Sequence, residues 1–296
     1  FEGFRPGVVE KLGIGPEQCL ERNPKLIYGR MTGWGQYGPM SQAAGHDINY
    51  ISLTGALHAI GRPGEKPVPP LNLVGDFGGG GMFLALGIVS GILEARTSGK
   101  GQVIDAAMTD GSAVLMSMFN TAYEMGRHSL ERGTNRLDGG AHFYDTYETR
   151  DGKYISIGSI EPQFYNQLLE VANLPRERFG QQMDRSRWPE LKQAIADVFL
   201  QKTRDEWCEL MEGTDICFAP VLDLKEAQKH PHNLARQTYV DVGGIKQPAP
   251  APRFSRTEPS VRHEARPYGA DTDAVLAEVG YSAEQLDEMR AQSACG

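Results

Sequence analysis

Leu26-Ile27-Tyr28-Gly29-Arg30-Met31 runs straight into Thr32-Gly33-Trp34-Gly35-Gln36, and this junction decides the fold class. The first stretch, rich in apolar and aromatic side chains, reads as a buried strand. The second, punctuated by glycines, reads as a loop. A strand feeding a glycine-rich loop is how open α/β sheets present ligands at their carboxyl edge. Farther on, Val103-Ile104-Asp105-Ala106-Ala107 supplies a second short strand behind the turn Ser98-Gly99-Lys100-Gly101-Gln102. Between the strands lies a long helix from about residue 79 to 97. Its apolar run, 82–93, reads as buried, too short to span a bilayer and interrupted by Gly87 and Gly91.

Working outward, residues 48–57 are apolar enough for a helix. Residues 62–70 hold four prolines and cannot be regular structure. Residues 109–128 read as helical, and the Arg, Gly, Asn and Asp of 129–140 as a linker. The alternation over 144–157 is that of a hairpin around Asp151-Gly152, a pair that favours a type I′ turn. Helical patterns follow at 163–172, 188–200 and 203–213, then a Pro/Ala linker at 248–252 and acidic helical segments over 270–293. No internal repeat is present. The expected division is a large α/β domain over 1–109, a linker over 110–139, a small α+β domain over 140–231, a linker over 232–252 and a C-terminal return over 253–296.

The 296 residues are 40% hydrophobic, enough for a sizeable core in one large or two ordinary domains. A net charge of −8 argues against a nucleic-acid partner, which calls for a basic face. An anionic ligand would therefore need positive charge concentrated locally. Cys19, Cys208, Cys217 and Cys295 form no CxxC pair and have no zinc-finger histidines, so free thiols in a reducing compartment are expected. The C-terminal Ser293-Ala294-Cys295-Gly296 is not an SKL-type tripeptide, and a cytoplasmic location is expected; the chain opens at Phe1 rather than Met.

Chemistry gathers in two places. Asn72-Leu73-Val74-Gly75-Asp76-Phe77 precedes four consecutive glycines, Gly78 to Gly81, and the long helix. Glycines can adopt φ > 0 and approach a ligand closely, and a helix start stabilises negative charge. Asp76 there reads equally as a helix cap and as a reacting carboxylate. A phosphate loop fits poorly, because no GxxxxGK[ST] occurs. In Gly45-His46-Asp47-Ile48-Asn49-Tyr50, His46 is a side chain able to carry a proton and would be held in place by the Asp that follows it, yet taken alone it reads as structural. The other histidines, His142 among them, have no motif context. Glu161 follows a strand and precedes a helix, where an acid interacting with the dipole is the plain reading.

Several motifs together resemble the family III CoA-transferases. They are Phe4-Arg5-Pro6-Gly7-Val8, Leu12-Gly13, Asn23 to Tyr28, Thr32 to Pro39, the Gly75-Asp76 loop, Gly99 to Asp105, and Thr272-Asp273 with Leu276 and Gly280-Tyr281-Ser282. The resemblance covers nearly the whole chain, which starts several dozen residues into the usual family sequence. It implies a Rossmann-like α/β large domain and a smaller α+β domain, joined by long linkers into a ring that interlocks with a second subunit. The Gly-His-Asp-Ile-Asn-Tyr run and Glu161 are similar to the family's racemase branch, which acts on α-methylacyl-CoA thioesters.

That likeness implies His46 and Asp76 as the acid–base pair, with Glu161 hydrogen-bonded to the aspartate and contributed by the neighbouring subunit of a homodimer. It further implies Arg5 and Lys11 at the CoA phosphates, and Met31, Thr32 and Gly33 along the CoA channel. Asn72 and Tyr144 belong near the reacting thioester, Asp47, Tyr50, Gly78 and Gly79 among the residues that bind the substrate or its CoA, and an amide of 76–79 faces the enolate. Coenzyme A enters as part of the substrate. Neither another cofactor, a metal, nucleic acid nor a membrane is expected. Racemisation needs a proton removed from one face of a carbon and returned to the other, which two flanking groups supply. The competing family chemistry is CoA transfer, with Asp76 as the nucleophile. A third reading is a non-catalytic acyl-CoA binding module.

Overall fold

The computed structural model describes residues 1–295; Gly296, the last residue of the expected C-terminal return, lies outside them. The junction strand forms as β1, Ile27–Thr32, and the second as β2, Gln102–Ala107. They pair in parallel, Tyr28 opposite Val103 and Met31 opposite Ala106. Parallel neighbours need a crossover, and the helix Met82–Ser98 supplies it, packed on both strands. Glycine lets the helix lie close. A β-carbon on Gly87 would stand 2.8 Å from Ile104 Cγ2, and one on Gly91 3.1 Å from Ile27 Cγ2. Inside β1 the buried Arg30 is paired, its Nε 2.9 Å from Glu2 and its Nη1 2.8 Å from Glu10.

The crossover helix departs from its expected length and burial. It continues a π-helical segment, Leu73–Gly81, so that one helical stretch of 26 residues, Leu73–Ser98, is long and apolar enough to cross a membrane. Of Met82–Ser98 only Leu84, Gly91 and Ala95 are buried. Met82, Leu86, Val89 and Leu93 stand 63–68% exposed. A two-stranded sheet covers one side of a helix and leaves the other open.

Two other helices are shorter than their apolar runs. The run over 48–57 breaks into Asp47–Ser52 and Ala56–Ala59 because Gly55, at φ 80°, turns the chain between them. The run over 109–128 forms Met108–Leu115 and Ser117–Glu124.

The hairpin forms from β3, Tyr144–Glu148, and β4, Tyr154–Gly158, with β5, Phe218–Val221, added antiparallel on β4. Its turn is not type I′. Gly152 has φ 71°, but Asp151 is not left-handed. Instead the Asp151 carboxylate accepts the Thr149 hydroxyl at 2.7 Å and the Arg204 amide at 3.0 Å, which fixes a longer loop closed by one left-handed glycine. Positive φ at both central residues occurs at Gly243-Gly244, 62° and 81°. That pair joins β6, Tyr239–Val242, to β7, Ile245–Pro248, a hairpin within the stretch read as linker.

The largest buried apolar cluster lies wholly between Ala141 and Ile216, where the three-stranded sheet packs on the helices Pro162–Val171, Trp188–Phe199 and Arg204–Met211. Phe199 and Trp207 meet edge to face with centroids 5.1 Å apart, and the indole N–H donates to the Phe199 carbonyl at 2.9 Å. Thr203 and Glu206 close a capping box at the start of the last helix, the Thr203 amide donating to the Glu206 carboxylate at 2.6 Å. The chain divides into two compact units, Phe1–Val221 and Leu222–Gly296. The second carries the β6–β7 hairpin and the helices Thr272–Glu278 and Ala283–Ala291, the latter capped by Ser282 and Gln285. All four cysteines are unpaired. The architecture is mixed α/β with small sheets.

Candidate active site

His46 stands just ahead of the helix Asp47–Ser52 in extended conformation, φ −133° and ψ 175°. Its amide donates to Asn49 Oδ1 at 3.0 Å, and its carbonyl accepts the amides of Asn49 at 2.8 Å and Tyr50 at 3.2 Å. The backbone is thus held on both sides while the imidazole remains exposed. Such a ring is free to meet a ligand and to exchange protons.

Asp76 sits in the first turn of the π-helical segment, a rare geometry often found at functional sites. Asn72, immediately before the segment, donates from Nδ2 to Asp76 Oδ2 at 3.3 Å. The glycines here work differently from expectation: neither Gly75 nor any of Gly78 to Gly81 has positive φ. They allow close approach instead. A β-carbon on Gly79 would lie 2.6 Å from the amide and hydroxyl of Ser112, and one on Gly75 2.5 Å from Asp47 Oδ1. Two of the amides expected to face an enolate are already engaged. That of Asp76 donates to Asp47 Oδ1 at 2.7 Å, and that of Phe77 to the Asn72 carbonyl at 3.4 Å.

Asp47 joins these two elements. It follows His46 in the chain, is 5% exposed, and its Oδ1 accepts the amides of both Gly75 and Asp76 at 2.7 Å. Tyr50, three residues on, is pushed above the ordinary phenol value by burial and then by the Asp76 charge. The two halves of the motif therefore meet through Asp47 and Tyr50.

A cleft of about 500 Å³ opens beside His46, lined among others by Arg5, Thr32, Gly33, Trp34 and Tyr50. The Tyr50 hydroxyl donates to the Gly45 carbonyl, and its ring meets Trp34 edge to face at 4.8 Å. Thr32 Oγ1 accepts the Gly35 amide at 3.0 Å, and the Gly33 carbonyl accepts the Thr109 amide at 3.1 Å, fixing the strand-to-loop junction. Arg5 is exposed on the cleft wall. Met31 directs its sulfur toward Gly80. Lys11, exposed at the end of the short helix Val8–Lys11, is not part of the cleft lining.

A larger, mainly apolar cavity of about 1000 Å³ is lined among others by Val74, Leu115, Phe119, Tyr144, Cys217 and Phe218. Tyr144 thus lines the same cavity as Val74 of the segment that carries Asp76. Glu161 precedes the helix Pro162–Val171, is exposed, and makes no hydrogen bond to Asp76 within the chain. Its charge acts on Cys217, whose thiol is raised by burial first and by Glu161 next.

The motifs do not reveal the inward carboxylate of Asp47, since its amide partners lie 28 and 29 positions away. Asp directly after His at a helix start was the only visible signal. An exposed imidazole and a backbone-anchored carboxylate, linked by one residue, can serve as two proton carriers for a ligand in the cleft.

The model of CoA-transferase family III matches residues 1–272 of the chain. Alpha-methylacyl-CoA racemase of Mus musculus is 49% identical over 98% of this chain and 76% of its own length. The protein of the same name from Homo sapiens is 44% identical, again over 98% of this chain and 76% of its length. Among solved structures, Rv3272 from M. tuberculosis is similar with a TM-score of 0.72 at 26% identity, covering 88% of this chain and 69% of that one.

Proposed function

Since this chain belongs to CoA-transferase family III, we propose that it interconverts (R)- and (S)-2-methylacyl-CoA thioesters by 1,1-proton transfer. Its likeness to racemases at 49% and 44% identity supports this choice over CoA transfer. The observation that carries the reading is the exposed imidazole of His46, one residue from the carboxylate that anchors Asp76. In the forward direction one of the two groups arrives unprotonated and takes the α-proton, the C–H electrons passing into the thioester enolate. The other arrives protonated and delivers its proton to the opposite face, forming the new C–H bond. For the opposite enantiomer the roles exchange. General acid–base groups of this kind contribute about 10²–10⁴-fold each.

The cleft beside His46 takes the CoA moiety in this reading, with Arg5 toward its phosphates and Thr32 and Gly33 along its path. The reaction uses no group beyond the protein and the CoA thioester. The wider arrangement proposed is a Rossmann-like large domain and a smaller α+β domain in a ring interlocked with a second copy. Its support is membership of family III; in that arrangement Glu161, exposed in one chain, would meet Asp76 of its neighbour.

Deuterium incorporation at the α-carbon, measured in D2O for each enantiomer, tests the reading. Exchange and racemisation from both are expected. Acyl transfer to a free carboxylate without α-proton exchange would replace it with transferase chemistry, Asp76 being the nucleophile.

A further inference from the structure

The geometry points to Asp47 as the positioning residue of this site, a buried carboxylate that sets where Asp76 stands. The inference rests on the racemisation reading above. Asp47 is 5% exposed, and one of its oxygens, Oδ2, is buried without a hydrogen-bond partner. Burying a half-satisfied carboxylate is costly, so its place in the fold calls for a compensating role. Its other oxygen has that role: Oδ1 accepts two consecutive amides, Gly75 and Asp76, each at 2.7 Å. Those lengths are typical of charge-assisted bonds, which are about twice as strong as neutral ones.

The amides it takes belong to the first turn of the π-helical segment Leu73–Gly81, where helical N–H groups have no partner within the helix. A π turn holds one residue more than the α-helical register needs, so the segment could slip by a residue. A slip of one residue turns a helical side chain by about 100°, enough to swing the Asp76 carboxyl away from the ligand. Asp47 opposes that slip from across the fold, because its own backbone is peptide-bonded to His46 and opens the helix Asp47–Ser52. One residue thereby fixes Asp76 relative to His46. Gly75 is part of the device, since a β-carbon there would come within 2.5 Å of Oδ1.

A purely structural residue, once removed, slows proton exchange from both enantiomers alike. A residue that acts through Asp76 slows chiefly the enantiomer whose α-proton faces Asp76. The Asp76→Asn variant identifies that enantiomer by which exchange it loses. Exchange from each enantiomer is then measured in D2O for the wild type, Asp47→Ala and Asp47→Asn.

In Asp47→Ala the Asp76-facing exchange is expected to fall at least about 30-fold further than the His46-facing one. Asp47→Asn, which keeps an acceptor oxygen, is expected to recover at least about tenfold of that difference. Gly75→Ala, which displaces the carboxylate from the other side, is expected to show the same bias even if Asp47→Ala does not fold. Equal loss from both enantiomers in these variants, or a bias toward the His46-facing one, overturns the assignment while leaving racemisation intact. A wild type that exchanges neither enantiomer overturns racemisation and this assignment together.

Discussion

Tyr50 fills the space that Gly33 leaves empty: a β-carbon on Gly33 would overlap the Tyr50 ring. The ring is fixed besides by its hydroxyl on the Gly45 carbonyl and its edge contact with Trp34. Gly33→Ala must therefore expel Tyr50 into the cleft that both residues line. Overpacking of this kind costs about 1–3 kcal/mol. We expect KM for the CoA thioester to rise at least about tenfold with a smaller fall in kcat, read by steady-state kinetics beside thermal melting.

His46 and Asp76, the two proton carriers of the proposed reaction, differ in exposure and should differ in mutational signature. His46→Ala is expected to lower exchange from one enantiomer by about 10²-fold or more, in the range of a lost acid–base group. The other enantiomer can still lose its proton to Asp76 and should retain far more of its exchange. Under transferase chemistry the same substitution would leave acyl transfer nearly intact, and an assay of both reactions separates the cases.

Neighbouring glycines in the π-helical segment predict opposite outcomes. Gly79 packs against the helix Met108–Leu115, and its β-carbon would meet the Ser112 backbone at 2.6 Å. Gly79→Ala should cost about 1–3 kcal/mol and lower activity by shifting Asp76. At Gly81 the nearest atom to a β-carbon is 3.6 Å away and φ is −55°. Gly81→Ala should be neutral or stabilising by up to about 1 kcal/mol, through helix propensity and a less flexible unfolded chain. Denaturant titration of the pair distinguishes them.

Much of the secondary structure was legible because its signals are local. The Leu26–Met31 run and the Val103–Ala107 run each became a strand within a residue of the expected bounds. The helical patterns at 163–172, 188–200 and 203–213 formed as Pro162–Val171, Trp188–Phe199 and Arg204–Met211, within two residues at each end. What stayed illegible depends on contacts across the chain. The π geometry of Leu73–Gly81 is tied to a carboxylate 28 residues upstream, and no periodicity encodes that. Asp151 left its expected turn because Arg204, 53 positions on, claims its side chain. The motifs single out His46 and Asp76 as candidates, but their spacing carries no information on Asp47, whose Oδ1 takes the Gly75 and Asp76 amides.

His142 gives the fold a defined response to acid. It is fully buried, its Nε2 is 2.7 Å from the Tyr165 hydroxyl, and the Tyr165 hydroxyl donates to the Phe179 carbonyl at 2.9 Å. Burial, then the charges of Lys192 and Arg187, lowers its pKa from 6.5 to about 4. The folded state therefore favours the neutral ring, and its contribution is complete above pH 6.5. As pH falls from 6.5 toward 4 the unfolded chain takes up a proton that the folded chain refuses, and stability drops. The loss from this group amounts to about 3 kcal/mol by pH 4. Denaturant midpoints at pH 7 and pH 4.5 should diverge in the wild type and converge in His142→Gln, after subtraction of each protein's neutral-pH stability.

The concentration of buried apolar side chains between Ala141 and Ile216 has a thermal consequence. Local opening is easiest where little apolar surface is packed, and the segments bearing His46 and Asp76 lie outside that cluster. Amide protons of the three-stranded sheet should exchange last, while those of the segments bearing His46 and Asp76 exchange through small fluctuations. On heating, turnover would then fade over a range of temperature in which most of the circular-dichroism signal survives, so that half-life of activity and melting midpoint measure two different parts of the same molecule.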